Sequence, residues 1–438
     1  MDHKEVARNI FIEAVRSVHP HRLIKDHVKT EGDILSVDDL KLSLDSFRNI
    51  YVIGAGKASA SMGEALEEIL GERVTGGHII VKYGHSADLK RISVTEAGHP
   101  VPDAEGFRAT ESIIRLAEKT TGSDLVFCLI SGGGSALMPD CPEGLTEGEL
   151  MDLNDLLVRS GADISEINTV RKHLSDVKGG RLARLLSPST IINLIISDVP
   201  GDLPEIIASG PTYPDTSTFR QASDILHKYK LENKVSVAVI DYLGKGLNGL
   251  IKETPRPDDP VFKNVSTFLI GTNRTAIEAA SAKAARSGLL PYIIDTDLHG
   301  DTAEISKVIV ESAVRFKKDM QGRKHVCLLF GGETTIKVTG NGLGGRNQHL
   351  ALMCAKLLRN LDGITILAAG TDGTDGPTDA AGGVVDSSTT TNALLKGIDP
   401  EKYLNEFDSY HFFINAGGHV ITGPTMTNVM DIIVVIIE

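Results

Sequence analysis

Apolar runs alternate with amphipathic segments along most of this 438-residue chain. Near the N-terminus, Val6, Ile10, Ala14 and Val18 recur at four-residue spacing, which predicts a helix with one apolar face. The run "NIYVI" further on is continuous rather than alternating, as in a strand that is buried on both faces. Continuous strands with helices between them predict a mostly parallel α/β sheet.

This alternation stops once and then starts again. The interval 204–260 is rich in Pro, Ser, Thr and Asp and holds one predicted helix, near 235–247. We therefore predict two α/β domains with mostly parallel sheets: a Rossmann-like domain over residues 1–255 and a second domain over residues 256–438, with a cleft between them. The predicted strands before the interval are 49–53, 78–83, 124–130 and 190–197, and the first two after it are 266–271 and 292–295.

Charge and composition narrow the choice of partners. The chain has 45 basic and 58 acidic side chains, a net charge of −13 and no basic run, which disfavours nucleic acid and anionic membranes. An anionic substrate would need positive charge placed locally. Glycine is the unusual residue, at 44 of 438 against a usual ~7%, and it concentrates where predicted strands end.

Cysteine usage and the apolar runs predict the compartment. The four cysteines form no C-x-x-C pair and have no metal-ligand spacing. The N-terminal stretch "MDHKEVARNIF" is too polar for a signal peptide, and the longest apolar run, "IIVVII", is too short to span a bilayer. We therefore expect a soluble, cytoplasmic protein.

The stretch "YVIGAGKASASM" combines a strand-like run, glycines and a lysine, yet it matches neither common nucleotide motif. A Walker loop needs Ser or Thr after its lysine, whereas Ala58 follows Lys57. A dinucleotide fingerprint needs a third glycine where Ser59 stands, and an acidic residue at the end of the next strand, "HIIVKY". Gly54 and Gly56 leave two interpretations: an anion held at a helix N-terminus, or only a close strand-to-helix turn.

A second glycine cluster follows the predicted strand "DLVFCLI". It consists of Ser131, Gly132, Gly133, Gly134 and Ser135. Three consecutive glycines allow successive N–H groups to converge on an anion. The alternative is a turn that only needs positive φ angles, but three glycines exceed that need, so we favour anion binding.

Charged residues stand at several other strand ends. Asp198 follows "TIINLIIS" and could accept a proton, hold a metal ion or cap a turn. Glu333 follows two glycines, and Arg346 opens a helix after two more, where its guanidinium could face an anion at that N-terminus. Asp372 and Asp375 do not fit the calcium-loop spacing, which leaves turn geometry or contact with magnesium and nucleotide.

Together these groups form a set that suits phosphoryl transfer. Lys57, the triple-glycine loop and Arg346 supply positive charge and N–H donors for a polyanion. Asp198 and Glu333 supply hard oxygen ligands for Mg²⁺. Phosphoryl transfer requires positioning, metal and cationic stabilisation, so the sequence predicts a phosphoryl-transfer enzyme that lacks a Walker motif.

A series of motifs resembles the class II glycerate kinases, whose C-terminal region is called MOFRL. The motifs occur in the family's order and cover nearly the whole chain, which makes the series highly specific although no single motif is. They are "GAGKAS", "SGGGSAL", "NTVRKHLSDVKGGRLA", "ISDVPGD", "IASGPT", "GGETT", "GGRNQ", "GTDGTDGPTDAAGG" and "TGPTMTNVMD".

The resemblance implies an ATP- and Mg²⁺-dependent kinase that phosphorylates D-glycerate, usually at the 2-hydroxyl, in a cleft between two α/β domains. It implies functional roles for Lys57, Asp198, Glu333, Arg346 and Asn428. On this basis we expect Lys57 and Arg346 to hold the substrate carboxylate and to dominate catalysis. Asp198 would act on the acceptor hydroxyl or bind Mg²⁺; the sequence leaves both roles open.

The chain departs from the family's pattern at four positions. His349 stands where the family usually has Glu, and Leu203 replaces an aspartate. Met426 and Met430 replace a glycine and an asparagine on either side of Asn428. These two methionines bear on the shape around Asn428 and on acceptor specificity, not on the reaction class.

Two other functions compete with a kinase. A hydroxypyruvate or tartronate reductase that uses NAD(P)H would fit the strand–glycine–helix start, but it lacks the ribose-binding carboxylate. A non-catalytic sensor of organic acids or nucleotides would need fewer charged strand-end loops. The position phosphorylated, the preferred phosphoryl donor and the oligomeric state are not predicted.

Overall fold

The computed structural model describes residues 2–319 and 325–438. The chain divides into two compact units. The first unit is Pro20–Ile270, and the second unit combines the segment up to His19 with Gly271–Glu438. This division differs from the expected boundary at residue 255 in two places, the N-terminal helix and the strand near residue 270.

The strands are β1 (Val28–Glu31), β2 (Ile34–Val37), β3 (Leu40–Ser43), β4 (Asn49–Ala55), β5 (Gly76–Lys82), β6 (Ile92–Ala97), β7 (Asp124–Ile130), β8 (Thr190–Ile196), β9 (Val265–Gly271), β10 (Leu290–Asp301), β11 (Val326–Thr335), β12 (Ile364–Gly370), β13 (Gly382–Asp386), β14 (His419–Val420) and β15 (Asp431–Ile437).

The helices are α1 (His3–Ser17), α2 (Pro20–His27), α3 (Ser59–Leu70), α4 (Ala104–Ala117), α5 (Gly134–Leu137), α6 (Glu147–Ser160), α7 (Ile164–His173), α8 (Arg181–Leu186), α9 (Phe219–Lys228), α10 (Val237–Leu247), α11 (Asn273–Arg286), α12 (Thr302–Asp319), α13 (Arg346–Leu357), α14 (Thr389–Leu395), α15 (Pro400–Asn405) and α16 (Ser409–Ala416).

The main sheet of the first unit confirms the Rossmann-like prediction. Its six strands lie in the order β6-β5-β4-β7-β8-β9, which is 3-2-1-4-5-6 when they are numbered along the chain. The pairs β5/β6, β4/β5, β4/β7 and β7/β8 are parallel. The strand order therefore reverses between β4 and β7, and the loops that follow these two strands meet at the point where such sheets bind ligands.

Strand β9 belongs to this sheet, although the sequence placed it after the domain boundary. It lies at the edge, next to β8. A side-chain hydrogen bond joins the two strands, since Asn193 Nδ2 on β8 donates to Thr267 Oγ1 on β9 at 2.9 Å. The segment before β9 was expected to link two domains, but it returns the chain to the first sheet.

The sheet of the second unit departs from the mostly parallel expectation. Its order is β10-β11-β15-β12-β13-β14, and only β10 and β11 pair in parallel among the described strand pairs. The C-terminal strand β15 runs antiparallel between β11 and β12. Because β15 is buried on both faces, its continuous apolar sequence is the same as that of a parallel central strand, so the pattern could not reveal its direction.

Helix α1 packs in the second unit, not in the domain over residues 1–255. Asp2 caps its N-terminus by accepting from Lys4 N and Glu5 N. Its apolar face, which includes Phe11 at 0% exposure, lies against α11, β12 and β15. The backbone carbonyl of Val18 just after it accepts from Thr427 Oγ1 at 2.7 Å. Burial of this face explains why the first helix and the last strand share one core.

None of the helices in the described ranges has both the length and the apolar character needed to span a bilayer.

We expect Phe11→Ala to destabilise the second unit by about 3–5 kcal/mol, because it removes a fully buried aromatic ring. Hydrogen exchange should speed up in β11 and β15 and stay slow in β4 and β7. Phe127→Ala, at an equally buried position in β7, is the reciprocal variant and should have the opposite pattern. Faster exchange of β4 and β7 in Phe11→Ala would contradict the assignment of α1 to the second unit.

Candidate active site

The glycine-containing loops after β4 and β7 lie against each other where the strand order of the first sheet reverses. A Cβ atom at Gly54 would lie 2.5 Å from Leu129 O, and one at Gly56, where φ is +143°, would lie 2.1 Å from Ser131 Oγ. Glycine is therefore required because the backbones approach so closely. Ser131 Oγ accepts from Ala58 N at 3.0 Å and Lys57 N donates to Gly132 O at 2.9 Å, which fastens the loop after β4 to the loop after β7.

The triple-glycine loop is packed on three sides. A Cβ atom at Gly132 would lie 2.0 Å from Asp198 Oδ2, and one at Gly134 would lie 2.8 Å from Ala208 Cβ. Gly133 has a φ angle of +85° and lies under His99. The first and last residues differ: the hydroxyl of Ser131 is buried within the fold, whereas Ser135 lines a cavity.

A cavity of about 790 Å³ opens beside this loop, entirely within the first unit. Gly133, Ser135 and Asp198 contribute to its wall, as predicted strand-end residues should. Helices α4, α6 and α7 form much of the rest, with apolar side chains that include Leu150 and Leu174. A volume in this range suits a small-molecule ligand.

Two lysines at strand ends act electrostatically on a residue that lines this cavity. His99, two residues beyond β6, is one of the lining residues. Burial lowers its pKa to about 4, with further lowering by the charges of Lys57 and Lys82. Lys57 is not among the described residues that line the cavity, but its charge acts on His99, which is one of them. The carboxyl edge of the sheet therefore presents cationic groups in a chain with an overall negative charge.

In the second unit, Arg346 is held by two carboxylates. Its Nε and Nη2 atoms donate to Asp431 at 2.6 and 2.9 Å, and its Nη1 atom lies 2.7 Å from Glu333 Oε1. The sheet explains this meeting, since Asp431 begins β15 opposite Gly332 of β11 and Gly370 of β12. Burial acts to lower the pKa of Arg346, but the hydrogen bond and charge of Asp431 outweigh it and raise this pKa. The guanidinium is thus already paired with two carboxylates of the chain itself.

The N-terminus of α13 already holds an anion, which the chain supplies itself. Asp375 accepts from the backbone N–H groups of Asn347 and Gln348 at 3.0 and 2.8 Å. Gly345 makes room for it, because a Cβ atom there would lie 2.3 Å from the Asp375 carboxylate. This arrangement differs from the expected external anion facing Arg346, and it makes Asp375 a helix cap. A nucleotide contact of Asp375 stays a prediction that this burial does not favour.

The remaining predicted residues lie in turns of the second unit. Asp372 Oδ1 accepts from Thr374 N at 3.0 Å, and Asn428 Oδ1 accepts from Met430 N at 3.1 Å. Both side chains are half-buried. Each therefore shapes its own loop, and a ligand contact of either residue stays a prediction.

Comparisons with known proteins show the family to which this chain belongs. The model described as "Domain of unknown function (DUF4147)" matches residues 6–244, and the MOFRL family model matches residues 326–431. The glycerate 2-kinase of Pyrococcus horikoshii is 42% identical, with 100% of this chain and 98% of that protein covered. The chain belongs to the class II glycerate kinase family.

Two further relatives are similar to this chain, one as a solved structure and the other under a different functional name. The crystal structure of glycerate kinase from Thermotoga maritima matches with a TM-score of 0.88 and 39% identity over 99% of each chain. An Agrobacterium vitis protein, provisionally named a hydroxypyruvate reductase, is 39% identical, with 99% of this chain and 94% of that protein covered. The likeness at this identity extends over both units.

The departures from the glycerate kinase pattern have structural consequences. Met426 and Met430 have φ angles of +60° and +69°, a region that glycine and asparagine adopt far more readily than methionine. The family's usual Gly and Asn would therefore suit this backbone, and the two methionines hold it under strain. His349 stacks on Phe407 at 4.9 Å, and burial lowers its pKa to about 4, so this position carries no charge near neutral pH.

Some groups at the site of this glycerate kinase family member escaped the sequence reasoning. Lys82 and His99 were not singled out, and Asn168 and Arg171 stood only within the motif "NTVRKHLSDVKGGRLA", without an assigned role. Lys82 ends β5 and His99 follows β6. The rule applied to β4, β7 and β8, that ligands bind beyond strand ends, would have found both.

The pKa of Asp375 should make the stability of the second unit depend on pH. Burial raises this pKa from 3.8 to about 6, although two backbone N–H groups act against it. A raised acid pKa means that the folded state binds the proton more tightly, so stability falls as pH rises from about 4 to about 6. Ionisation of Asp375 should cost about 3 kcal/mol above that range.

Asp375→Asn removes the ionisation. The free energy of unfolding of this variant, relative to the wild type, should rise by about 3 kcal/mol between pH 4 and pH 7 in urea titrations. Asp379→Asn, at an exposed position, is the control and should show no such trend. A difference between wild type and Asp375→Asn that is constant with pH would contradict the raised pKa.

Proposed function

We propose that this chain transfers the γ-phosphoryl group of ATP to the 2-hydroxyl of D-glycerate, with 2-phosphoglycerate and ADP as products. The observation that carries the proposal is 42% identity, end to end, to a glycerate 2-kinase. The cavity at the carboxyl edge of a Rossmann-ordered sheet supports it, because ligands of such sheets bind there. A cytoplasmic location and purely small-molecule partners remain predictions from the sequence.

The first unit offers groups for both partners of the reaction. Asp198 lies in the cavity wall against Gly132, where its carboxylate can accept a hydrogen bond from the acceptor hydroxyl. As the new O–P bond forms and the bond to the ADP oxygen breaks, the hydroxyl proton can pass to Asp198 and then to solvent. Lys57 can offset charge on the transferring group, which is the larger requirement in phosphoryl transfer.

ATP is expected to act with Mg²⁺, which would neutralise charge on the phosphates. Among residues 2–319 and 325–438 there is no group of three or more His, Cys, Asp or Glu side chains that could hold a metal. Magnesium in kinases commonly takes only one or two protein carboxylates and completes its shell with phosphate and water. A magnesium site of that kind does not need a group of three such side chains. Asp198 is the better candidate ligand, because it lines the cavity of the first unit beside the triple-glycine loop.

The second unit holds a second candidate cation, in the Arg346 cluster. With Asp431 and Glu333 on either side, the guanidinium has a fixed orientation. Substrate that displaces Glu333 would gain the Nη1 side of Arg346, while Asp431 keeps Nε and Nη2 in place. Arg346 is thus proposed as a pre-positioned cation and Glu333 as its counter-ion.

A reductase is the competing function, because the strand order suits a dinucleotide and one relative has that provisional name. Against it, β5 ends in Lys82 instead of a ribose-binding carboxylate. The test is to measure ADP release with D-glycerate, ATP and Mg²⁺, and NAD(P)H absorbance with hydroxypyruvate. Glycerate-dependent ADP release supports the kinase; NAD(P)H oxidation without ADP release would overturn it.

Lys57→Ala and Arg346→Lys test the two assigned cations. We expect kcat to fall about 10²–10³-fold for each, as when a transition-state donor is lost. Arg346→Lys is chosen over alanine because it keeps a positive charge beside buried Asp431, whose isolation would cost about 3–5 kcal/mol. Steady-state kinetics of ADP release give the measurement.

Lys25→Ala and Arg286→Lys are the controls, since both side chains are exposed and pair with surface glutamates. Their kcat values should stay within about twofold of wild type, because surface ion pairs contribute little. A fall of less than about tenfold in Lys57→Ala or Arg346→Lys, with an intact thermal transition, would remove that residue from the catalytic assignment.

A further inference from the structure

One arginine lines the cavity of the first unit, and among the described residues no carboxylate forms an ion pair with it. Arg171, on α7, is among the lining residues. Its pKa is lowered by burial, and no acidic group among the described residues offsets that effect. A half-buried cation without a counter-ion is costly, and proteins normally supply a partner for it.

The side chain of Arg171 is oriented by the fold. Its Nε atom donates to Asn154 Oδ1 on α6 at 2.7 Å. Both helices begin with a capping box, Thr146 with Glu149 on α6 and Asp163 with Glu166 on α7, which fixes their first turns. With Nε taken, the two terminal nitrogens remain to bind a planar anion with two oxygens.

Two other polar side chains of the cavity, Lys178 and Asn168, already have hydrogen-bond partners. Lys178 Nζ donates to Met138 O at 2.6 Å and lies 3.8 Å from Asp140 Oδ1. Asn168, one helical turn before Arg171, accepts from Ser209 Oγ at 3.0 Å, and Ser209 lies 2.8 Å from the hydroxyl of Ser135. This chain of contacts ties the face of α7 that carries Arg171 to the triple-glycine loop.

We propose that Arg171 binds the carboxylate of the acceptor acid and thereby selects glycerate over neutral polyols. The inference rests on the proposed function and names the group in this chain that reads the acid. A single unpaired guanidinium matches one carboxylate, whereas a nucleotide triphosphate carries several charges. Arg346 suits this role less well, because Asp431 and Glu333 already occupy its fork.

The placement of Asp198 supports this assignment. Arg171 and Asp198 line the same cavity, one on α7 and the other after β8. A small hydroxy acid has its carboxylate and hydroxyl on neighbouring carbons, so one ligand in this cavity needs a cation for one group and an acceptor for the other. Apolar side chains such as Leu174 keep the carboxylate site dry, which strengthens the charge-assisted hydrogen bonds.

The experiment compares wild type, Arg171→Gln and Arg171→Lys with D-glycerate and with glyceramide, its neutral amide. In Arg171→Gln we expect the KM for glycerate to rise about 100-fold and the KM for ATP to stay within about twofold. The preference for glycerate over glyceramide in kcat/KM should fall by a similar factor. Arg171→Lys should recover part of that preference, because it restores the charge but not the two-pronged geometry.

Arg184→Gln is the matched control, since Arg184 is also half-buried in the first unit but does not line the cavity. It should leave both KM values unchanged, and circular dichroism should show that each variant is folded. An unchanged KM for glycerate in Arg171→Gln, or a rise in the KM for ATP alone, would overturn this inference. Absence of glycerate-dependent turnover in the wild type would instead contradict the proposed function.

Discussion

The close approach of two loops at the reversal point of the first sheet is the constraint on which the site depends. Gly54 and Gly56 let the chain at the end of β4 lie against the chain at the end of β7, with Leu129 in the space beside Gly54 and Ser131 in the space beside Gly56. This contact fixes the backbone of the triple-glycine loop, which in turn lies against Asp198. The glycines are therefore required first by packing, and any anion binding follows from the loop positions that packing imposes.

In the second unit, charged side chains as well as glycine fix the positions of the residues at the strand ends. The N-terminal end of β15 brings Asp431 between the carboxyl ends of β11 and β12, where it anchors Arg346. Asp375 then caps the helix that Arg346 begins. Asp431 and Asp375 are both buried, and both contact the first residues of α13. These acidic residues therefore stabilise the structure of the region in which the sequence predicted ligand contacts.

The sequence predicted the features that the local hydrophobic pattern determines. Continuous buried strands gave the α/β class, and the glycine loops after β4 and β7 lie together as that class requires. The hydrophobic pattern could not show the direction of β15, because a strand buried on both faces has the same continuous apolar sequence whether it runs parallel or antiparallel to its neighbours. It also could not show in which unit α1 packs, because an amphipathic helix has the same pattern in either unit. The ion pairs of Arg346 and the cap by Asp375 join residues distant in the chain, so their spacing carried no signal.

We propose that this fold places the 2-hydroxyl of a small acid for attack on a phosphate. A proton-coupled phosphorus NMR spectrum of the product made from D-glycerate and ATP tests it most directly. Phosphate on the 2-oxygen neighbours a carbon with one hydrogen, so the account predicts a doublet. A triplet, which arises from phosphate on the 3-oxygen next to a CH₂ group, or the absence of any new phosphate ester, would contradict the account.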